Sequence, residues 1–283
     1  MTPVVAVIAP GAMGAAVGKR LFDSGVKVLT SLEGRSEETK ARAKAAGMAA
    51  ADDEEIAASD FILSILPPGD ALSLAEHFVS ALKASNAKLV YVDCNAINPK
   101  TVERVAAAIA PTGSPFVDAG IIGSPPKPGD AGPRFYASGP AAARFATLRD
   151  YGLDIRVLDG AMSAASALKM SYAGITKGTQ AIGAAMMLAA TRAGSADALF
   201  AELSASQKEL FPWLKRSLSQ MPSKAYRWVA EMHEIAGFVD DDPAARELYE
   251  GAAHFYETFA EDFENGEKKE AGALAAFLGK SSS

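Results

Sequence analysis

Apolar residues along the first half of the chain follow two alternating periods. Val4-Val5-Ala6-Val7-Ile8 is a nearly unbroken apolar run, the pattern of a strand buried on both faces. A glycine-rich turn follows. Val17, Leu21 and Phe22 then recur at helical spacing, and Gly25 closes that helix before a second strand at 26–29. Residues 37–50 are charged and alanine-rich and predict a surface helix. Residues 61–66 form another apolar run, stopped by Pro67-Pro68. Residues 71–83 are amphipathic, 89–92 predict a strand, 100–109 a helix and 114–119 a strand. Short strands alternating with helices predict βαβ units and a parallel sheet.

The pattern changes near Gly160. No proline occurs from 161 to 191, and Leu168, Ile175, Ile182 and Met186 recur at helical spacing, so one long helix or two abutting ones are expected. Residues 197–219, 224–238 and 243–265 also predict helices, and 279–283 a frayed tail. The expected fold is α/β: an N-terminal doubly wound sheet of Rossmann type over residues 1–160, followed by an all-helical domain over 161–283.

Composition narrows the class of protein. Of 283 residues, 49% are hydrophobic and 22% charged, as in ordinary globular chains. The net charge is −6 and no Lys/Arg block stands out, which argues against nucleic acid or an anionic membrane as partner. Cys94 is the single cysteine, so a disulfide framework is impossible and a cysteine zinc site is not expected; Cys94 reads as a small buried residue. The longest uncharged apolar stretch lies between Lys177 and Arg192, short of the roughly 18–20 residues of a membrane span. The first residues lack a basic region ahead of a long apolar stretch, and a cytoplasmic location is expected.

The turn after the first strand carries the clearest chemistry. Ala9-Pro10-Gly11-Ala12-Met13-Gly14 is G-x-G-x-x-G with alanine first. In such turns the first small residue allows a tight bend, the second lets backbone approach a pyrophosphate, and the third lets helix pack on strand. Its place directly after a strand and before a helix favours a dinucleotide site over the alternative of a turn shaped only for packing. At the end of the second strand, Ser31, Arg35 and Ser36 offer a place for a 2′-phosphate, while Glu33 offers a partner for a ribose hydroxyl. The balance leans to NADP, with NAD possible. No P-loop, H-E-x-x-H or G-x-S-x-G is present.

Several segments together resemble the β-hydroxyacid dehydrogenase family, which includes 6-phosphogluconate and 3-hydroxyisobutyrate dehydrogenases and, more distantly, imine reductases. Residues 7–14 are similar to the family's opening turn. Ile65-Leu66-Pro67-Pro68 resembles its Leu-Pro segment beside the nicotinamide, and residues 92–99 its segment ending Ser-Thr-Ile-x-Pro. Residues 116–124 resemble its substrate loop, and Gly160 with Lys169 its helix entry, whose lysine is catalytic. The chain departs from the pattern at Ser163, Ala165, Ala173, Asn95-Ala96, Ile122 and His233-Glu234. The resemblance implies hydride transfer between a nicotinamide and a small hydroxy or keto compound, with Lys169 as general acid/base. Burial near the start of an apolar helix would favour the neutral amine that a base needs. It further implies Ile122, Gly123, Ser124, Asn95 and His233 around the substrate. Leu66, Pro67, Pro68 and Asn95 join Ala9, Pro10, Gly11, Ala12, Met13 and Gly14 around the cofactor, and a homodimer forms through the helical domain. Relatives that reduce imines usually carry another residue at position 169, so the lysine favours hydroxy or keto substrates. Imine reduction, or dinucleotide binding without turnover, are the alternatives. Lys127 and Arg134 read as surface cations, His77 as structural and His254 as core packing. Residues 52–55 read as a loop or helix cap and 240–242 as a solvated turn, neither as a metal site.

Overall fold

The computed structural model describes residues 2–264 and 267–280. β1 (Val4–Ile8), α1 (Ala12–Asp23), β2 (Lys27–Thr30), α2 (Glu37–Ala45), β3 (Ala49–Ala50), α3 (Asp53–Ala57), β4 (Phe61–Ser64), α4 (Ala71–Ala84), β5 (Val90–Asp93), α5 (Pro99–Ile109) and β6 (Phe116–Ile122) succeed one another, all but β3 and α3 being elements that the periodicity predicts. β7 (Arg134–Ser138), α6 (Ala142–Phe145) and β8 (Asp154–Val157) complete this part. The strand order is β3-β2-β1-β4-β5-β6-β7-β8, parallel throughout except where β6 meets β7. This is an α/β fold with a doubly wound sheet, followed by an all-helical region.

The apolar runs owe their continuity to burial on both faces. Val5 and Val7 belong to one core with Val17, Leu21 and Phe145, while Ala6 and Ile8 belong to the other with Phe78, Leu82 and Val105. Each such side chain contributes about 1.5–3 kcal/mol when fully buried, so exchanging any strand residue for a polar one damages a core on one side or the other.

Three differences from the sequence expectation have local causes. α2 ends at Ala45, short of residue 50, because Gly47 takes φ 72 and the chain turns back to pair Ala49 and Ala50 with Leu29 and Thr30. β7 and β8 were not legible, since they lie at the charged side of the sheet, where Arg134 and Arg156 both approach Asp154. β8 is the edge strand, and such strands carry charge and lose the apolar signature. The expected helix at 197–219 is two helices, α8 (Ala196–Ser206) and α9 (Leu210–Leu218), preceded by one unbroken α7 (Ala164–Arg192).

The chain divides into two compact units, one ending at Met170 and the other beginning at Ser171. In the second, α10 (Ala225–Phe238) packs on α11 (Pro243–Glu264), and α12 (Lys269–Leu278) follows. Trp228 meets Tyr256 edge to face at 5.2 Å, and the Tyr256 hydroxyl donates to the Lys177 carbonyl at 2.6 Å. Of the tail expected to fray, Lys280 is ion-paired with Asp197; residues 281–283, like Asn265, lie outside the described residues. Among the described residues no helix is long and apolar enough to cross a membrane.

Candidate active site

The strand order reverses between β1 and β4, and in open α/β sheets ligands bind outside the carboxyl ends of the strands at that point. The glycine turn stands there. A Cβ on Gly14 would lie 2.2 Å from the Ala9 carbonyl oxygen, so α1 approaches the end of β1 more closely than any side chain allows. Gly11 is different: its φ is −70 and nothing lies within 4 Å of a Cβ built on it. The fold does not need glycine at position 11, and the open space over its backbone suits a pyrophosphate. α1 has no side-chain cap and no acid in its first turn, whereas Ser36, Asp52 and Asn98 cap α2, α3 and α5. Its uncapped N–H groups at Ala12 and Met13, with the positive end of the helix dipole, fit an anion. Arg42 on α2 donates to the Pro10 carbonyl at 3.3 Å and ties that helix to the turn.

Ser31, Arg35 and Ser36 lie together in the loop from β2 to α2. The Arg35 N–H closes a turn on the Leu32 carbonyl, and the Ser36 hydroxyl accepts from the Thr39 N–H. Ser31 and Glu33 also line a cleft of about 610 Å³ with Asp52 and Asp53.

At the ends of β4 and β5 the side chain of Asn95 is fully used. It accepts from the Leu66 N–H at 2.5 Å and donates to the Ser64 hydroxyl at 2.8 Å and to the Asp93 carboxylate at 3.0 Å. With Asn95 only 2% exposed, its amide fixes the backbone of the Leu66-Pro67-Pro68 segment, of which Pro67 is exposed.

Lys169 lies half-buried on the first turns of α7 and donates from Nζ to the Ile121 carbonyl at 2.8 Å. Ile122 ends β6, and Gly123 follows at φ 134, where a Cβ would sit 2.9 Å from Pro133 Cα; Ser124 is exposed. The loop beyond is bound back to α1. Asp130 accepts from the Lys127 N–H at 3.0 Å, the Gly132 N–H at 2.9 Å and Arg20 at 2.8 Å. These bonds, that from Lys127 first, hold the Asp130 carboxyl below the usual carboxylate range.

Two residues of β6, Gly120 and Asp118, complete the Lys169 environment. A Cβ on Gly120 would lie 2.9 Å from the Ala165 carbonyl oxygen and 3.0 Å from Lys169 Cβ. Asp118, fully buried, accepts from the Ser166 N–H at 2.8 Å and the Ser166 hydroxyl at 2.6 Å. Burial pushes its carboxyl up to about 6, against the hydrogen bonds from Ser166 and Ser138. An aspartate ionises near 4 in the unfolded chain, so over about pH 4–6 the folded state holds the extra proton. The ionised form is the costly one: the contribution of this group is fully present below about pH 4 and is lost as pH rises through about 6. An acid and a glycine inside an otherwise apolar strand were the signals for both residues.

His233 belongs to the second unit, on α10, half exposed with Nδ1 3.1 Å from Glu250 Oε2. His254, expected in the core, is exposed instead. His77 is exposed and pairs with Asp53, while Cys94 is buried as expected.

The sheet order and turn define a Rossmann-type dinucleotide-binding protein. The model for the NAD binding domain of 6-phosphogluconate dehydrogenase matches residues 4–150, and a domain of unknown function matches 190–259. The chain belongs to that 6-phosphogluconate dehydrogenase-like family and is a divergent β-hydroxyacid dehydrogenase family member. It is 30% identical over 200 residues to an uncharacterized 28.5 kDa protein of Methanothermus fervidus, covering 70% of this chain and 75% of that one. A conserved protein of unknown function, solved and described as structurally similar to 3-hydroxyacid dehydrogenases, is 29% identical. That match covers 95% of this chain and 98% of the other, with TM-score 0.69. The 3-hydroxyisobutyrate dehydrogenase of Mycobacterium tuberculosis, solved with L-serine, shares the fold at 20% identity. Its coverage is 98% and 99%, with TM-score 0.69.

Proposed function

We propose that the protein is an NAD(P)-dependent oxidoreductase acting on a small β-hydroxy acid or related hydroxy or keto compound, with Lys169 as its general acid/base. The observation that carries this reading is the Lys169 amine. It is half-buried, held on the carbonyl of Ile121 at the carboxyl end of β6, one residue before the Ile122-Gly123-Ser124 segment. The nicotinamide supplies the hydride acceptor or donor. In oxidation the neutral amine takes the hydroxyl proton as hydride leaves the carbinol carbon; in reduction the ammonium returns that proton to the forming alkoxide. The exposed backbone of Gly123 and Ser124 supports binding of the substrate carboxylate. Asn95 acts by fixing Leu66, and His233 is the residue of the helical region assigned to the substrate. Residues 1–160 serve the dinucleotide and 161–283 the substrate and the dimer. Assay of the purified protein on a panel of β-hydroxy acids with NADP⁺, and of cyclic imines with NADPH, tests the reading. Turnover of a hydroxy acid is expected. Turnover of imines alone, or tight dinucleotide binding with no turnover, contradicts it.

NADP is the proposed dinucleotide, supported by Ser31, Arg35 and Ser36 in the loop from β2 to α2, of which Ser36 caps α2. Arg35→Ala is expected to lower kcat/KM with NADPH by about tenfold or more, the worth of one charge-assisted phosphate contact, and to leave NADH unaffected. Equal losses with both dinucleotides would remove Arg35 from this role.

The partner is a second copy of the chain. Along α7, Ile175, Ile182 and Met186 are 70%, 54% and 58% exposed and lie on one stripe with Tyr172. Next to it a groove of about 240 Å³ runs past Leu248 and Tyr249. Large apolar side chains aligned over several turns are the seam of a helix pair. Light scattering is expected to give twice 29.4 kDa, and Ile175→Asp with Ile182→Asp a species of 29.4 kDa. A wild-type monomer that turns over substrate would contradict this.

A further inference from the structure

Asp118 takes no part in the chemistry above, yet it is a carboxylate placed wholly inside the sheet. We infer that Asp118 is a positioning residue for Lys169: by clasping Ser166 it fixes the first turn of α7 on β6 and so sets where the amine stands. This rests on the reading of Lys169 as the acid/base.

The four N–H groups that open a helix have no partner within it and are satisfied from outside. In α7 the Ala164 N–H reaches the Ala161 carbonyl at 3.1 Å. The next two go to other strands: Ala165 N–H to the Ser138 hydroxyl on β7 at 2.9 Å, and Ser166 N–H to Asp118 on β6 at 2.8 Å. The Ser138 hydroxyl itself stands 2.7 Å from the Met162 carbonyl and 3.3 Å from Asp118 Oδ2. A local cap would satisfy these groups equally well. Caps 27 and 48 residues away in the chain do something more, because they fix the helix start in space.

The same stretch of β6 then steers the lysine. Side chains alternate along a strand, so Asp118 and Gly120 face α7 together. Ser166 and Lys169 are one turn apart on the helix. Gly120 leaves room for Lys169 Cβ, and the next residue, Ile121, holds Nζ with its carbonyl. Asp118, Gly120 and Ile121 thus fix the base, the stem and the tip of one side chain. Burial of the carboxylate opposes folding at neutral pH, as its raised pKa records. Its neutral isostere therefore serves the fold as well and the placement of the amine less well.

The test compares the full-length protein with Asp118→Asn, using lysine labelled with ¹³C at Cε and the Lys169 signal assigned by its absence in Lys169→Arg. The Lys169 signal is expected to move more than that of any other lysine, while thermal stability at pH 8 does not fall. In turnover, kcat is expected to drop about tenfold or more, with KM for the dinucleotide unchanged. An unmoved Lys169 signal overturns the proposal, whatever the stability. Should Asp118→Asn fail to fold, Ser166→Ala removes the 2.6 Å bond alone and is read by the same signal in the same way. Full turnover by Lys169→Met would instead sink the catalytic reading, and the ¹³C shift would still report on the clasp.

Discussion

Lys169→Met is expected to lower kcat by roughly 10³-fold, within the range set by losing a positioned general acid/base, and to leave dinucleotide affinity within about twofold. Methionine matches the length of the lysine stem, so the packing of Cβ against Gly120 survives and only the amine bonded to the Ile121 carbonyl is lost. Proton transfer would then depend on water, which does not stand in a fixed place. A variant that keeps most of its kcat on a well-turned-over hydroxy acid would show that the proton moves elsewhere.

The second large effect separates two glycines of one turn. Gly14→Ala is expected to lose about 3 kcal/mol of stability or more, since its Cβ would meet the Ala9 carbonyl oxygen at 2.2 Å, a backbone atom with nowhere to go. Gly11→Val is expected to fold within about 0.5 kcal/mol of wild type, because its φ is ordinary and the space over it is open. That same space is where the pyrophosphate would approach, so NADPH affinity should fall by about a hundredfold, or ~2.8 kcal/mol. Denaturant melts and fluorescence titration of both variants check the pair. Undiminished NADPH binding by Gly11→Val would mean that the turn serves packing alone.

Much of the fold was legible because burial on both faces leaves a strong mark. Val4–Ile8 and Phe61–Ser64 read as strands from their unbroken apolar runs, and their alternation with helices predicted a parallel sheet. β7 and β8 lacked that mark. They end the sheet, one of them runs against its neighbour, and their charged residues are satisfied by each other. At the site, the glycine turn and Lys169 were visible as motif and resemblance. The use of Asn95 was not, since a side chain turned into the sheet to hold Leu66 has the same local sequence as one turned toward a ligand. Asp118 and Arg20 were hidden for another reason: their partners Ser166 and Asp130 are 48 and 110 residues away, and no local pattern encodes such a pairing.

The most direct test of hydride transfer at Lys169 is a crystal structure with NADP⁺ bound. Pyrophosphate oxygens are expected about 3 Å from the N–H groups of Ala12 and Met13, with nicotinamide C4 and the Lys169 amine on either side of a gap wide enough for one small hydroxy acid. A dinucleotide seated away from the Gly11 turn, or a nicotinamide ring turned away from Lys169, would contradict it.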